Sequence, residues 1–157
     1  MNVFEALKKR KSVRAFQDKQ VTKETINNIL DAARHAPSGT NTQPWQVAIV
    51  TGEAKKNLQY KIEAAFRAGD KGKADYSYYP EEWVEPFKSR RKACGLLMYQ
   101  TLQIGREDRE RQLDQWAANY RAFDAPVMLL FFMDDKMQKG SYMDYGMFLQ
   151  SVMLAAV

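Results

Sequence analysis

The sequence has few of the residues that build disulfide frameworks and zinc sites, since it contains one cysteine, Cys94, and one histidine, His35. One of each excludes a disulfide framework and a Cys/His zinc site, so no metal is expected. No apolar run approaches the ~18 residues that a membrane span needs. The N-terminal residues MNVFEALKKRKS carry charge where a signal peptide has its apolar stretch. These absences predict a soluble, cytoplasmic protein that does not bind a membrane.

The sequence also lacks the common nucleotide-binding and nucleophile motifs. Neither GxGxxG nor GxxxxGK[ST] occurs, so no dinucleotide or nucleoside-triphosphate loop is indicated. His35 is expected at the surface near the end of a helix, and Cys94 is expected to be buried, which is the usual state of a free cysteine. Because no catalytic side chain stands out, a cofactor would have to supply the chemistry of an enzyme.

The length and composition indicate one globular domain over residues 1–157. The chain is 45% hydrophobic and 27% charged, which is ordinary for a packed domain. The pattern predicts two buried strands separated by several helices, and therefore an α+β or α/β domain. Strands are expected at 45–51 and 127–133. Helices are expected near the N-terminus up to Lys9, after an N-cap at Thr22, at 53–68, 86–103 and 106–121, and after Ser141.

One of these helices has apolar residues that fall on one face, and the last helix carries several apolar residues. In the helix capped by Thr22, the expected face is Ile26, Ile29, Leu30 and Ala33. In the last helix the apolar residues considered are Met147, Val152, Met153 and Leu154.

Positive charge is concentrated at the N-terminus. Of the net charge of +5, residues 1–20 hold six bases against two acids. If this stretch is extended, Arg10, Ser12 and Arg14 share one face and could hold a phosphate with charge-assisted hydrogen bonds, while Val13 and Phe16 anchor the other side in the core. The alternative is a solvated helix end, where bases are common.

The segment APSGTNTQPW, residues 36–45, has more hydrogen-bonding groups than a plain connector needs, although a connector is the alternative. Gly39 would allow a positive φ and a close approach to a ligand. Ser38, Asn41 and Gln43 supply donors and acceptors for the edge of a planar heterocycle.

Three segments together resemble the flavin-dependent nitroreductase family: RKSVRAF, APSGTNTQPW and the later DYGMFLQSVMLAA. The resemblance implies an α+β fold with a mixed sheet surrounded by helices, in a domain-swapped homodimer with FMN at the interface. It implies that Arg10, Ser12 and Arg14, with the Lys11 backbone, hold the FMN phosphate and ribityl end. Residues approaching the isoalloxazine would come from the partner subunit: Pro37, Ser38, Gly39 and Asn41. Thr40 would lie near the open ring face where substrates stack.

The implied reaction is ping-pong: NAD(P)H gives a hydride to flavin N5 and leaves, and a nitroaromatic, quinone or similar acceptor then takes the electrons. A flavin- or anion-binding module without turnover, and a flavin-linked dehalogenase or enone reductase, are the alternatives. Nucleic acid is not an expected partner, because the basic stretches lack interleaved aromatics and no recognition motif occurs.

Residues 69–92 correspond to the variable lid of such proteins. Their aromatic residues, among them Tyr79 and Trp83, could stack on a small aromatic substrate or pack on the dimer partner. The bases that could attract an acidic substrate are Lys88, Arg90, Arg91 and Lys92. Because family members continue past the central helix with a further strand and a C-terminal arm, the resemblance predicts a chain truncated after Val157, or a degenerate homologue.

Overall fold

The computed structural model describes residues 1–70 and 72–157. These residues form helices and strands in the predicted order, with ends displaced by a few residues, and the α+β class is confirmed. The helices are α1 (Val3–Lys9), α2 (Lys23–Ala33), α3 (Gly52–Arg67), α4 (Phe87–Thr101), α5 (Arg109–Tyr120) and α6 (Lys139–Ala155). The strands are β1 (Gln46–Thr51) and β2 (Val127–Phe132), and short 3-10 turns lie at Gly39–Asn41 and Ala122–Asp124.

The chain divides into two compact units, and the boundary falls within α3. The first unit comprises residues 1–58 and 123–157, and the second comprises residues 59–122. The first unit contains both strands of the described part of the chain, and the second contains α4 and α5.

The core of the first unit lies between α2, α6 and a two-stranded sheet. Strands β1 and β2 are antiparallel, with Gln46 opposite Phe132 at one end and Thr51 opposite Val127 at the other. The buried cluster consists of Ala33, Ala36, Tyr145, Phe148 and Val152, with Trp45, Val47 and Leu129 among the residues packed against it.

Helix α2 forms as its sequence predicts. The Thr22 hydroxyl accepts a hydrogen bond from the Thr25 amide at 3.1 Å, which satisfies one of the free amides of the first turn. Ile26 and Ala33 are buried, and Ile29 and Leu30 pack against the core. The predicted apolar face is therefore confirmed.

Helix α6 differs from its prediction in its start, and only some of its apolar residues are buried. It begins at Lys139 rather than after a Ser141 cap, and the Ser141 hydroxyl contacts Met137 Sδ at 3.6 Å. Met147 and Met153 are exposed, whereas Tyr145, Phe148 and Val152 are buried. The helix is apolar on more than one side, and the face that includes the Tyr145 and Phe148 rings packs into the core because it buries a large apolar area.

The Tyr145 hydroxyl ties α6 to one end of the sheet. It lies 3.1 Å from the Gln46 carbonyl oxygen and 2.9 Å from that of Phe132, the two residues that are paired across the strands. Burial raises the pKa of Tyr145 above its ordinary value, so the hydroxyl keeps the proton that it donates.

Two burial predictions were wrong. Neither strand is fully buried, because Ile49 of β1 and both Phe131 and Phe132 at the end of β2 are exposed. Cys94 is exposed as well, since it lies on a side of α4 that no described residue covers.

The second unit is held by a ring stack and a charge network. Phe66 of α3 stacks on Tyr120 of α5 with ring centroids 4.4 Å apart. Glu63 Oε1 accepts hydrogen bonds from Arg121 at 2.8 Å and Arg67 at 2.9 Å. The bond from Arg121 is the main reason that the pKa of Glu63 lies below its ordinary value; partial burial opposes this shift, and the bond from Arg67 supports it.

No helix in the described part of the chain is both long enough and apolar enough to cross a bilayer.

Candidate functional site

The basic segment that follows α1 is open to solvent. Arg10 caps the C-terminus of α1 through its amide, which donates to the Ala6 carbonyl at 2.9 Å. Beyond it, residues 11–20 are all exposed and form no helix or strand. Arg14 Nη1 donates to the Ser12 carbonyl at 3.2 Å, and its guanidinium lies 5.7 Å from the Phe123 ring centroid. A ring contact of this kind holds the guanidinium while leaving most of its N–H groups free.

The charges of this segment are available to an anion. Within the residues that the structure describes, no carboxylate forms an ion pair with Arg10, Lys11 or Arg14. An FMN phosphate is a dianionic group that needs such donors, so these residues fit it. The predicted core anchors were wrong: Val13 is 54% exposed and Phe16 48% exposed. The alternating polar and apolar residues predicted a strand face, but this segment pairs with no described strand and therefore buries neither side.

The second predicted segment forms a tight turn, which we call the 38–43 loop (residues 38–43). The Ser38 hydroxyl accepts from the Gln43 amide at 2.9 Å. The hydroxyls of Thr40 and Thr42 both donate to the Gly39 carbonyl, at 2.8 and 3.1 Å. Gln43 Nε2 donates to Asn41 Oδ1 at 3.2 Å. Most polar groups of the motif therefore close the loop on itself, in agreement with its high content of small polar side chains.

The positive φ expected at Gly39 occurs instead at its neighbours. Thr40, Asn41 and Gln43 have φ of 51°, 59° and 46°, whereas Gly39 does not have a positive φ. The Gly39 amide donates to Asp144 Oδ2 of α6 at 3.0 Å. The loop therefore has three non-glycine residues in the left-handed region, which is unfavourable for L-residues unless surrounding contacts hold them.

The two ends of the loop are fixed to the core. Pro44 is buried, and Trp45 stacks on Phe148 of α6 with ring centroids 4.7 Å apart and planes 4° from parallel. At the other end Ala36 is part of the buried cluster, while Pro37 is exposed and Ser38 half-buried.

Helix α6 contacts the 3-10 turn of the 38–43 loop, and it also contacts α1, the helix that precedes the basic segment. Yet no hydrogen bond joins the basic segment to the loop within the described residues. The 38–43 loop is therefore supported directly by α6, and the basic segment follows a helix that α6 contacts.

The predicted substrate aromatics form a cluster in the second unit. Tyr79 lies 4.8 Å from Tyr78 and 5.6 Å from Trp83, measured between ring centroids. The Arg91 guanidinium lies 5.1 Å from the Trp83 ring centroid. Tyr79 is 61% exposed and Trp83 half-buried, so the cluster keeps an accessible aromatic surface. Residue 71, within the predicted lid at 69–92, lies outside the described residues.

Sequence reasoning did not assign a role to Asp144 or Tyr145. Both lie in the segment DYGMFLQSVMLAA, and their partners are remote in the chain. Asp144 contacts Gly39, which is 105 residues away, and Tyr145 contacts Gln46, which is 99 residues away. Sequence spacing cannot predict a contact between residues so far apart in the chain. Within the residues that the structure describes, no group of three or more His, Cys, Asp or Glu could hold a metal ion.

Comparison with known proteins gives matches over nearly the whole chain. The family model "Nitroreductase family" matches residues 7–157. Nitrobenzene nitroreductase of Ectopseudomonas oleovorans is 36% identical over 158 aligned residues, which cover 98% of this chain and 68% of that protein. 4-Nitrobenzoate reductase of Pseudomonas putida is 35% identical over 147 residues, covering 94% of this chain and 64% of that protein.

Solved structures agree with these matches. The FMN and NADPH-dependent nitroreductase NfnB from Sphigopyxis sp. strain HMH superposes with a TM-score of 0.93 at 40% identity, covering 99% of this chain and 70% of that chain. NfnB from Mycobacterium smegmatis in complex with NADPH superposes with a TM-score of 0.89 at 28% identity, covering 98% of this chain and 71% of that chain.

Proposed function

The chain belongs to the nitroreductase family, and on that premise we propose that it is an FMN-dependent oxidoreductase that passes electrons from NAD(P)H to nitroaromatic compounds. The observation that carries the proposal is the exposed basic segment at residues 10–14, whose charges have no acidic partner within the described residues. The similar proteins include reductases of nitrobenzene and 4-nitrobenzoate, and NfnB is named as FMN- and NADPH-dependent.

In this proposal the chain binds and orients, and FMN supplies the redox chemistry by accepting hydride from NAD(P)H and reducing the acceptor. Arg10, Ser12 and Arg14, with the Lys11 backbone, hold the phosphate and ribityl end by charge-assisted hydrogen bonds. The groups that approach the ring system are in the 38–43 loop and the residue before it: Pro37, Ser38, Gly39 and Asn41. The rigid closure of that loop would keep the ring position constant through both half-reactions.

We also propose that the protein acts as a homodimer with FMN at the interface. No hydrogen bond joins the basic segment to the 38–43 loop within the described residues, and an arrangement in which each FMN receives one segment from each subunit would explain why both are exposed. One domain over residues 1–157 and a cytoplasmic location stay predictions.

The proposal is tested with the purified chain and its visible spectrum. We expect a bound flavin absorbance that bleaches when NADPH or NADH is added without oxygen and returns when nitrobenzene is added. A flavin spectrum that neither nucleotide bleaches would indicate a binding module without turnover. Bleaching that an enone or a haloaromatic reverses, but no nitroaromatic does, would assign the chain to another branch of the family.

For substrates, we propose that Tyr79 and Trp83 stack on the aromatic acceptor and that Arg91 favours acceptors bearing a carboxylate. Thr40 is proposed separately to lie near the open face of the flavin ring. Arg91 has no carboxylate partner within the described residues, and the Trp83 ring holds its guanidinium at 5.1 Å. Arg91→Ala should raise the KM for 4-nitrobenzoate by about tenfold and leave that for nitrobenzene within about twofold, as expected for one charge-assisted contact.

Arg90→Ala is the matched comparison, because Arg90 is adjacent and lies 5.9 Å from the Phe87 ring centroid. It makes the same change in charge, so a nonspecific field effect would raise the KM for 4-nitrobenzoate equally in both variants. Equal effects would contradict the assignment to Arg91. An unchanged KM in Trp83→Ala for both substrates would contradict the substrate role of the aromatic cluster.

A further inference from the structure

Asp144 of α6 reaches the predicted cofactor site from the opposite end of the chain. Its Oδ2 accepts a hydrogen bond from the Gly39 amide at 3.0 Å, across a separation of 105 residues. We propose that Asp144 is a positioning residue, which holds the Gly39 amide and thereby sets the backbone of the 38–43 loop for FMN. This inference rests on the proposed function, because it assumes that the loop meets the cofactor.

The loop needs support from outside itself. Three of its own side-chain hydrogen bonds end on Ser38 or Gly39, while Thr40, Asn41 and Gln43 are in the left-handed region. Bonds internal to a loop can persist in several orientations of that loop. The bond from Gly39 to Asp144 is the one hydrogen bond in the described residues that joins the loop to another element, so it helps the packed loop ends to fix the orientation relative to the core.

The helix turn that carries Asp144 is itself immobilised. Tyr145 bonds to the ends of both strands, and Phe148 is 2% exposed beneath the Trp45 ring. A carboxylate on such a turn has little freedom to follow the loop if the loop moves. Its bond to the amide is charge-assisted, which makes it about twice as strong as one between neutral groups.

The space around Gly39 agrees with this contact. A Cβ placed on Gly39 would lie 3.6 Å from Asp144 Oδ2, which is ordinary van der Waals contact. The carboxylate therefore contacts the backbone at Gly39 without a steric clash. Asp144 is half-buried, so water competes with the amide only in part.

The experiment compares Asp144→Ala and Asp144→Asn with the unmodified protein by two measurements. The first is hydrogen–deuterium exchange of peptides that cover residues 38–43, without added FMN. The second is the Kd for FMN, from the flavin fluorescence that binding quenches. We expect Asp144→Ala to speed exchange of the loop at least tenfold and to weaken FMN binding about ten- to a hundredfold. Asp144→Asn keeps an acceptor but loses the charge, so it should speed exchange and weaken FMN binding by about three- to fivefold.

Ser151→Ala is the matched control on the same helix, because its hydroxyl bonds within α6 to the Met147 carbonyl at 2.9 Å. It should leave exchange of the loop and FMN affinity unchanged. The inference is overturned if Asp144→Ala leaves both at the unmodified values, or if Asp144→Asn weakens FMN as much as Asp144→Ala does.

If Asp144→Ala does not fold, Asp144→Asn alone decides, because unchanged loop exchange in that variant would contradict the role of the carboxylate. The exchange measurement also separates the two proposals. If the unmodified chain does not bind FMN, the proposed function and the role of Asp144 toward FMN are both refuted. Loop exchange that still depends on Asp144 would then support only the structural contact between Asp144 and the loop.

Discussion

At the scale of single residues, the basic segment shows how an arginine can be held in place without losing its binding capacity. Arg14 donates to the Ser12 carbonyl and stacks on Phe123, and neither contact neutralises its charge. In an ion pair with a carboxylate, the charge of the same guanidinium would be neutralised and its N–H donors would be occupied. A cation that is held only by a carbonyl and a ring can therefore still bind an external anion.

Replacing Arg14 with Ala should weaken FMN binding by about ten- to a hundredfold, because a charge-assisted hydrogen bond contributes about 1.5–3 kcal/mol. Arg14→Lys should give an intermediate loss, since it keeps the charge but not the planar fork. The Kd is measured by fluorescence titration at two salt concentrations, and the effect of Arg14→Ala should shrink at high salt.

Lys23→Ala serves as the control, because Lys23 is an exposed base at the start of α2, outside the motif. It removes the same charge and should leave the Kd within about twofold. If Lys23→Ala weakened FMN as much as Arg14→Ala, the basic N-terminus would act only through its general field.

At the scale of elements, the buried face of α6 determines the core of the first unit. Phe148 is 2% exposed, stacks on Trp45 and contacts Tyr145 edge-to-face at 5.8 Å. Phe148→Ala should lower the free energy of unfolding by about 3–5 kcal/mol, through lost transfer energy and the cavity that remains. Urea denaturation followed by fluorescence gives this value.

Met153 provides the matched comparison on the same helix, because it is 43% exposed. Met153→Ala should cost less than about 1 kcal/mol, as substitutions outside the core usually do. If Met153→Ala lowered the free energy of unfolding nearly as much as Phe148→Ala does, the side of α6 that carries Met153 would be covered in solution.

The contrast between α2 and α6 explains how much of the fold the sequence could predict. Helix α2 has one apolar stripe and a threonine cap, so its start followed from the cap and its buried face from periodicity. Helix α6 has apolar residues on several sides, and periodicity cannot choose among them. The choice depends on contacts with Trp45 and the strand ends, which are remote in sequence.

The same distinction holds for the candidate site. Sequence patterns identified the basic segment and the 38–43 loop, because the residues of each motif are contiguous. They did not identify Asp144 as the partner of the loop, nor which loop residues have a positive φ. In the structure that strain is found at Thr40, Asn41 and Gln43 rather than at the glycine. Such strain is set by the hydrogen bonds around a residue and not by its own preference.

In the second unit, the charge network between α3 and α5 makes stability depend on pH. The folded state lowers the pKa of Glu63, chiefly through the hydrogen bond from Arg121. A carboxylate whose folded pKa is below its unfolded value, about 4.3, stabilises the folded state fully above that value. The stabilisation is lost as the pH falls through the folded pKa.

Glu63→Gln should therefore destabilise the chain by about 1 kcal/mol at pH 7, and the difference should be smaller at about pH 3. Urea midpoints at the two pH values measure it. Glu53→Gln is the control, since Glu53 is 78% exposed in its pair with Lys56 and should contribute little at either pH. A deficit of Glu63→Gln that persisted at low pH would mean that the side chain acts through packing instead of charge.

At the scale of the whole molecule, the proposed homodimer accounts for apolar surface that a monomer would expose. On α1, Val3 is 66% exposed, Phe4 77% and Leu7 48%, and the helix ends at the basic segment that is proposed to hold FMN. Apolar side chains grouped in this way on a short helix usually mark an interface. A second copy of the chain is the occupant that the proposed function requires, because each FMN would then lie between subunits.

Phe4→Asp should therefore weaken dimerisation by about tenfold or more, since it would place an unpaired charge in an apolar contact. Light scattering after size exclusion should give twice 18.2 kDa for the unmodified chain and a mass that falls on dilution for the variant. Asn28→Asp adds the same charge at an exposed position of α2 and should leave the mass unchanged. Because the proposed FMN site is shared, Phe4→Asp should also release FMN on dilution, at the same protein concentrations at which the mass falls. A variant that became monomeric but kept its flavin would show that one subunit holds FMN alone, and the two exposed segments would then have to meet within a single chain.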